Sequence, residues 1–109
     1  MLFRSQSAFA NCVNLKELKL PDSVTVIQKS AFMNGRSLQK VILPAGVTRI
    51  EEATFANCPA LAPAGMKIGK QVEYIGPHAF NDCEGLKGVK IPASAEVDPK
   101  AFSNCSWYK

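Results

Sequence analysis

Four cysteines are the residues of this 109-residue chain whose chemistry could matter most, since an even number of thiols in a short chain can form disulfides or hold zinc. Their setting argues against both. Cys12, Cys58, Cys83 and Cys105 each follow an Asn or Asp, at Asn11, Asn57, Asp82 and Asn104, and Gly35 holds the same place after Asn34. A zinc site would need C-x₂-C pairs, which are missing, so no metal is expected. If these segments stack as copies of one unit, the thiols form a column with neighbours ~4.8 Å apart. Cys83 could then approach Cys58 or Cys105, but equivalent side chains point the same way rather than at each other. Reduced thiols acting as small buried hydrophobes are therefore expected.

The remaining candidates are weaker. His78 is the lone histidine, and its counterparts in the other segments are Ser30, Ala53 and Lys100, so it reads as a solvated turn residue after Pro77. Glu51 and Glu52 are adjacent and suit a solvated turn, with no acid–base role. The column Asn11, Asn34, Asn57, Asp82 and Asn104 reads as a polar ladder at turns, because Asn and Asp side chains bond to nearby backbone and can also bond copy to copy. Asn104-Cys105-Ser106 matches a glycosylation sequon, but a ladder Asn is expected to be poorly exposed. No G-x-S-x-G, H-E-x-x-H or phosphate-cradling glycine loop occurs. Neither a catalytic site nor a cofactor is expected.

The elements that carry these residues form a repeat. AFANC at 8–12, AFMNG at 31–35, TFANC at 54–58, AFNDC at 79–83 and AFSNC at 101–105 align, and their Phe9, Phe32, Phe55, Phe80 and Phe102 lie 23, 23, 25 and 22 residues apart. A large apolar residue follows three positions after each Cys position, at Leu15, Leu38, Leu61, Leu86 and Tyr108. Alternating stretches ending in proline come next: LKELKLP at 15–21, LQKVILP at 38–44 and LKGVKIP at 86–92. Apolar pairs then precede the Phe: Val24 and Ile27, Val47 and Ile50, Val72 and Ile75. The alternation has the period of a half-buried strand, with Leu18 and Leu20 inward and Glu17 and Lys19 outward. Proline ends the pairing because it has no N–H to donate. A-F-x-N-C is too short for a helix and suits a tight or 3₁₀ turn. One copy cannot bury its apolar face, whereas stacked copies make that face continuous, which is a solenoid.

Length and composition agree with one domain, residues 1–109, of about four full coils. The chain is 47% hydrophobic and 20% charged, enough to bury a core. No run approaches the ~20 apolar residues of a membrane helix, so no membrane insertion is expected. No signal peptide is visible in the first thirty residues. The net charge of +4 is mild and unclustered, so nucleic acid is not an expected partner.

The run NLKELKLPDSVTVIQKSAFMNGRSLQKVILPAGVTRIEEATFANC resembles the BspA-type leucine-rich repeat, with its L-P-x-x-V-x-x-I-x-x-x-A-F-x-x-C signature. The resemblance runs from about residue 5 to the C-terminus. It implies a right-handed, mostly β leucine-rich-repeat coil with short parallel strands and turn or 3₁₀ segments. It also implies a non-enzymatic adhesion or protein-binding module of a cell-surface or secreted protein, with host matrix proteins, other surface proteins or glycans as partners. Three places depart from the pattern. LAPAGMKIG carries two extra residues, expected as a bulge or loop after Leu61, and has Gly69 at the proline position. Arg4 replaces the aliphatic residue of the first unit, and Val97 replaces Ile in the last.

Function then falls to the surface. Glu17, Lys40 and Gly88 form one outward strand column, and Lys19, Ile42, Lys67 and Lys90 a second, basic one with an exposed aliphatic. This face is the candidate binding surface for an acidic protein or glycan. Lysines that merely keep the sheet soluble and unpaired are the competing reading. The alternatives to adhesion are an architectural spacer and a glycan-binding accessory module of a larger enzyme. The chain opens inside a coil and closes at FSNCSWYK, so it reads as a piece of a longer array whose copies associate end to end, partly covered by Trp107 and Tyr108.

Overall fold

The computed structural model describes residues 14–108, so Arg4, Phe9, Asn11 and Cys12 lie outside the described residues. Within them the chain winds as stacked coils, with turn bonds inside each coil and a second set of bonds from one coil to the next. Two parallel ladders form. The first joins β1 (Glu17–Lys19) to β2 (Lys40–Ile42), pairing Glu17 with Lys40, Leu18 with Val41 and Lys19 with Ile42. It continues into the third coil through a single bridge from Val41 to Met66. The second ladder joins β3 (Arg49–Ile50), β4 (Tyr74–Ile75) and β5 (Glu96–Val97). Val97 takes the aliphatic position of the last coil opposite Ile75.

Each corner has a sequence cause. At the first corner the carbonyl of Pro21, Pro44, Gly69 or Pro92 accepts from the N–H three residues on, at Val24, Val47, Val72 or Ala95. The corner needs a carbonyl and no N–H, so proline fits it and glycine substitutes. The A-F-x-N-C arc is a run of tight turns in which successive N–H groups alternate in direction. In the third coil Ala53, Phe55 and Asn57 donate forward to Pro77, Ala79 and Asn81, while Thr54 and Ala56 donate back to Glu51 and Ala53. The backbone donors from Ala53 to Asn57 are thus all paired, and Phe55 is fully buried between them. The one 3₁₀ turn among the described residues is Glu84–Leu86, just beyond the arc rather than in it.

Left-handed backbone sits at Ser30 and Asn34, Ala53 and Asn57, His78 and Asp82, and Asn104, all with φ between 57° and 64°. Asn and Asp tolerate that conformation better than most residues, which gives the Asn column a second cause besides hydrogen bonding. Asn57 Nδ2 donates to Asn34 Oδ1 at 2.9 Å. The expected ladder then changes track: Asn104 Nδ2 donates to Asn81 Oδ1 at 3.0 Å instead of reaching Asp82.

The core is a set of columns. Phe32, Phe55, Phe80 and Phe102 stack with centroids 5.6, 5.6 and 5.3 Å apart and nearly parallel rings. Leu38, Leu61 and Leu86 and the pairs Val47 and Ile50, Val72 and Ile75 are buried beside them. At the last coil Tyr108 stacks on Phe102 at 4.6 Å, and Trp107 meets Phe102 edge-on while donating Nε1–H to the Cys83 carbonyl.

Two departures shape the surface. The extra residues after Leu61 form a turn in which Gly65 and Met66 both donate to Ala62. Gly65 is required there, since a Cβ would collide with the Gln39 carbonyl oxygen. The expected strand in LKGVKIP does not form. Val89 donates to Leu86 across a turn, and Gly88 takes φ +90°, so Gly88 and Lys90 are not ladder positions. Glycine's freedom at positive φ allows the chain to turn where the alternation alone implies extension.

Candidate binding face

The three described thiols are engaged in packing the coils. Cys58, Cys83 and Cys105 are free and buried. Each donates to the carbonyl of the phenylalanine one coil earlier: Cys58 Sγ to Phe32 at 3.4 Å, Cys83 to Phe55 at 3.1 Å and Cys105 to Phe80 at 3.2 Å. Burial pushes the Cys58 thiol up to about 11, against the opposing pull of the Gly35 backbone. Burial raises Cys83 and Cys105 as well. Protonated thiols are poor nucleophiles and poor ligands. Their work is to tie the arc to the coil below.

The other polar candidates are also occupied. His78 is half-buried rather than solvated, with Nδ1 3.3 Å from Ser103 Oγ. Glu51 pairs with Arg49 Nε at 2.9 Å. Asn104 is exposed, contrary to the expectation for a ladder residue, because it sits on the last described coil. No group of three or more His, Cys, Asp or Glu among the described residues could hold a metal.

The lysine face is where the structure leaves open space. In β2, Lys40 and Ile42 project outward on either side of buried Val41, and Ile42 is 44% exposed. The Val41–Met66 bridge sets Lys67 beside Ile42 in parallel register. Two clefts flank Lys67. One, of about 420 Å³, reaches from Lys40 and Ile42 to Lys67 and Gln71. The other, of about 510 Å³, lies between residues 63–70 and 88–90. They share Ala64, Lys67 and Gly69. Lys40 and Ile42 of the candidate face thus line one cleft, Lys90 lines the other, and Lys67 lies in both linings. Glu17 and Lys19 pair with Lys40 and Ile42 at its edge but line neither cleft.

The second ladder carries an outward column that the sequence reading passed over: Arg49, Tyr74 and Glu96 in register. The Arg49 guanidinium lies over the Tyr74 ring at 4.2 Å, and its bond to Glu51 holds it further into the charged form. Period-two alternation in T-V-I, T-R-I and E-Y-I was the available signal. A shallower cleft of about 380 Å³ runs from Val26 past Glu51 to Tyr74. On this side Arg49 and Glu51 pair with each other, whereas the lysines of the first side have no carboxylate among the residues lining their clefts.

Comparison with known proteins agrees with the geometry. The family model described as a BspA type leucine rich repeat region (6 copies) matches residues 5–109. Among solved structures, a leucine-rich repeat protein from Bacteroides ovatus is 31% identical, with a TM-score of 0.84 over 94% of this chain and 26% of its own. A leucine rich cell surface protein from Faecalibacterium prausnitzii is 32% identical, with a TM-score of 0.87 over 100% of this chain and 30% of its own. The chain therefore spans less than a third of either structure's length. No curated protein matches it significantly.

Proposed function

The chain belongs to the BspA-type leucine-rich repeat family, and from that premise we propose that it is a non-enzymatic binding module of a cell-surface or secreted protein, engaging an acidic partner through its first-ladder face. The observation that carries this reading is the pair of clefts joined at Lys67, lined by Lys40, Lys67, Lys70 and Lys90 and by no acidic side chain. A solenoid positions such a face rigidly, because every coil is fixed by hydrogen bonds to its neighbours, and a stiff surface loses little entropy on binding. Concentrated positive charge also attracts anionic partners at long range. Support for a non-enzymatic role comes from the thiols, which are protonated and bonded to backbone, and from His78, which lies on a turn away from both clefts. Support for surface placement comes from the Faecalibacterium structure, described as a cell surface protein. No helix among the described residues is long and apolar enough to cross a membrane.

The test is binding of the full chain to a panel of extracellular matrix proteins and sulfated glycans, with an unrelated solenoid of similar charge as control. Saturable binding to at least one component, absent in the control, is expected. Binding no stronger than the control across the panel would favour an architectural spacer and overturn the proposal.

A further inference from the structure

The net charge of +4, which looks unclustered along the chain, is gathered on one side by the fold. Each coil contributes to the first-ladder side: Lys19 from the first, Lys40 from the second, Lys67 and Lys70 from the third and Lys90 from the fourth, all exposed. Glu17, in register with Lys40, is the one carboxylate at an outward position of that ladder among the described residues. Parallel neighbours in a ladder lie ~4.8 Å apart, so the lysine positions follow one another along the axis of the array. Beneath them the surface is closed. Val41 is 2%, Met66 0% and Ile68 7% exposed, so the clefts offer a partner neither an apolar socket nor a free sheet edge. Ile42 is the exposed aliphatic of the linings. Among the described residues neither lining holds an aromatic ring, an arginine or a carboxylate. Gln71 adds an amide that can both donate and accept.

We propose that this side binds a linear anionic glycan, with sulfate or carboxylate groups on successive sugars, laid along the array axis across the lysines of several coils. The proposal rests on the binding role above and names the partner's chemical class. A folded protein or an acidic peptide gains most of its affinity from anchors that fill desolvated pockets, and a closed floor gives those anchors no room. A single-stranded nucleic acid needs rings on which to stack its bases, and the linings have none. A carboxylate or phosphate held at one fixed place is best read by the planar fork of arginine, whereas lysine is a hydrated point charge on a flexible stem. Lysines repeating coil by coil suit a ligand whose charge also repeats along its length. Sugar hydroxyls can bond with the Gln71 amide, and the C–H face of a sugar ring can lie on Ile42. Fixed coils and a stiff glycan both lose little conformational freedom on meeting.

The probes are a heparin disaccharide, tetrasaccharide and octasaccharide, titrated into the full chain by isothermal calorimetry at low and physiological salt. Saturable binding is expected, tightening with each increase in length and weakening as salt rises. Lys67→Gln/Lys90→Gln should bind the octasaccharide at least tenfold more weakly, with circular dichroism melts establishing that it folds. Lys100→Gln, exposed but outside both linings, should stay within threefold of wild type. Polyglutamate and oligothymidylate of matched charge should each bind at least tenfold more weakly than the octasaccharide. Equal or tighter binding of either would overturn the glycan in favour of an acidic protein or of unselective polyanion binding. Equal affinity at all three lengths would overturn the placement across several coils. Absence of oligosaccharide binding, alongside matrix-protein binding that is lost in Lys67→Gln/Lys90→Gln, would overturn the glycan while leaving the wider binding role intact. Absence of both would overturn the two together.

Discussion

At the scale of single residues the phenylalanine and cysteine columns hold the coils in register. Phe55 is fully buried between Phe32 and Phe80, so truncation removes two ring stacks and leaves a cavity in the middle of the array. Phe55→Ala is expected to lower stability by ~3–5 kcal/mol in denaturant melts, and a loss under ~1 kcal/mol would contradict the spine. The thiols give a pH signature. Burial favours the protonated Cys58, so its pKa is higher folded than unfolded. Its contribution is fully present below the unfolded pKa, near 9, and is lost as pH rises towards the folded value of about 11. Within that window the unfolded chain has released a proton that the native chain keeps, so stability falls by up to ~1.4 kcal/mol per pH unit for this thiol. Cys58→Ser should reduce that slope in urea melts without abolishing it, since serine does not ionise there while buried Cys83 and Cys105 keep their own shares. The phenylalanine and cysteine positions were legible because each recurs with the repeat. The left-handed backbone that selects Asn was not, since Ser30, Ala53 and His78 share it without sharing a residue type.

At the scale of elements the arc is the most regular part, and Asn57 tests it. Asn57 combines φ 60° with a side-chain bond to Asn34. Asn57→Val places a β-branched residue in left-handed backbone and removes the bond. Thermal melts should show a loss of at least ~1–2 kcal/mol from the backbone alone. Asn57→Gly should lose less than Asn57→Val, and equal losses would mean that backbone conformation is not the cause. The first ladder was readable from L-K-E-L-K-L and L-Q-K-V-I-L, where alternation and a terminal proline agree. The second ladder was not, because strands of two residues, such as Tyr74–Ile75, leave too short an alternation to stand out from a turn. The break at Gly88 was hidden for the opposite reason: L-K-G-V-K-I-P keeps the alternation intact, and only the turn bond from Val89 to Leu86 shows that the chain is not extended there.

At the scale of the whole molecule the coils build a rigid wall with two outward sides of different electrostatic character. On one, Arg49, Glu51 and Tyr74 neutralise and cover each other. On the other, lysines rim open clefts without acidic neighbours in the lining. Of the candidate face drawn from outward strand positions, Lys40 and Ile42 line one cleft and Lys90 the other, with Lys67 in both, and Lys90 arrives from a turn and not from a strand. The cleft it borders could not be foreseen, since it exists only because one ladder stops while its neighbours continue. The most direct measurement compares the two sides in a single binding assay. Affinity of the full chain for its strongest panel component is measured at low and physiological salt, for the wild type, for Lys40→Glu/Lys67→Glu and for Arg49→Ser. The lysine pair should lose at least tenfold in affinity together with most of its salt dependence, while Arg49→Ser stays within about threefold of wild type. A loss confined to Arg49→Ser, with the lysine variant unchanged, would place binding on the other side of the solenoid and contradict the assignment.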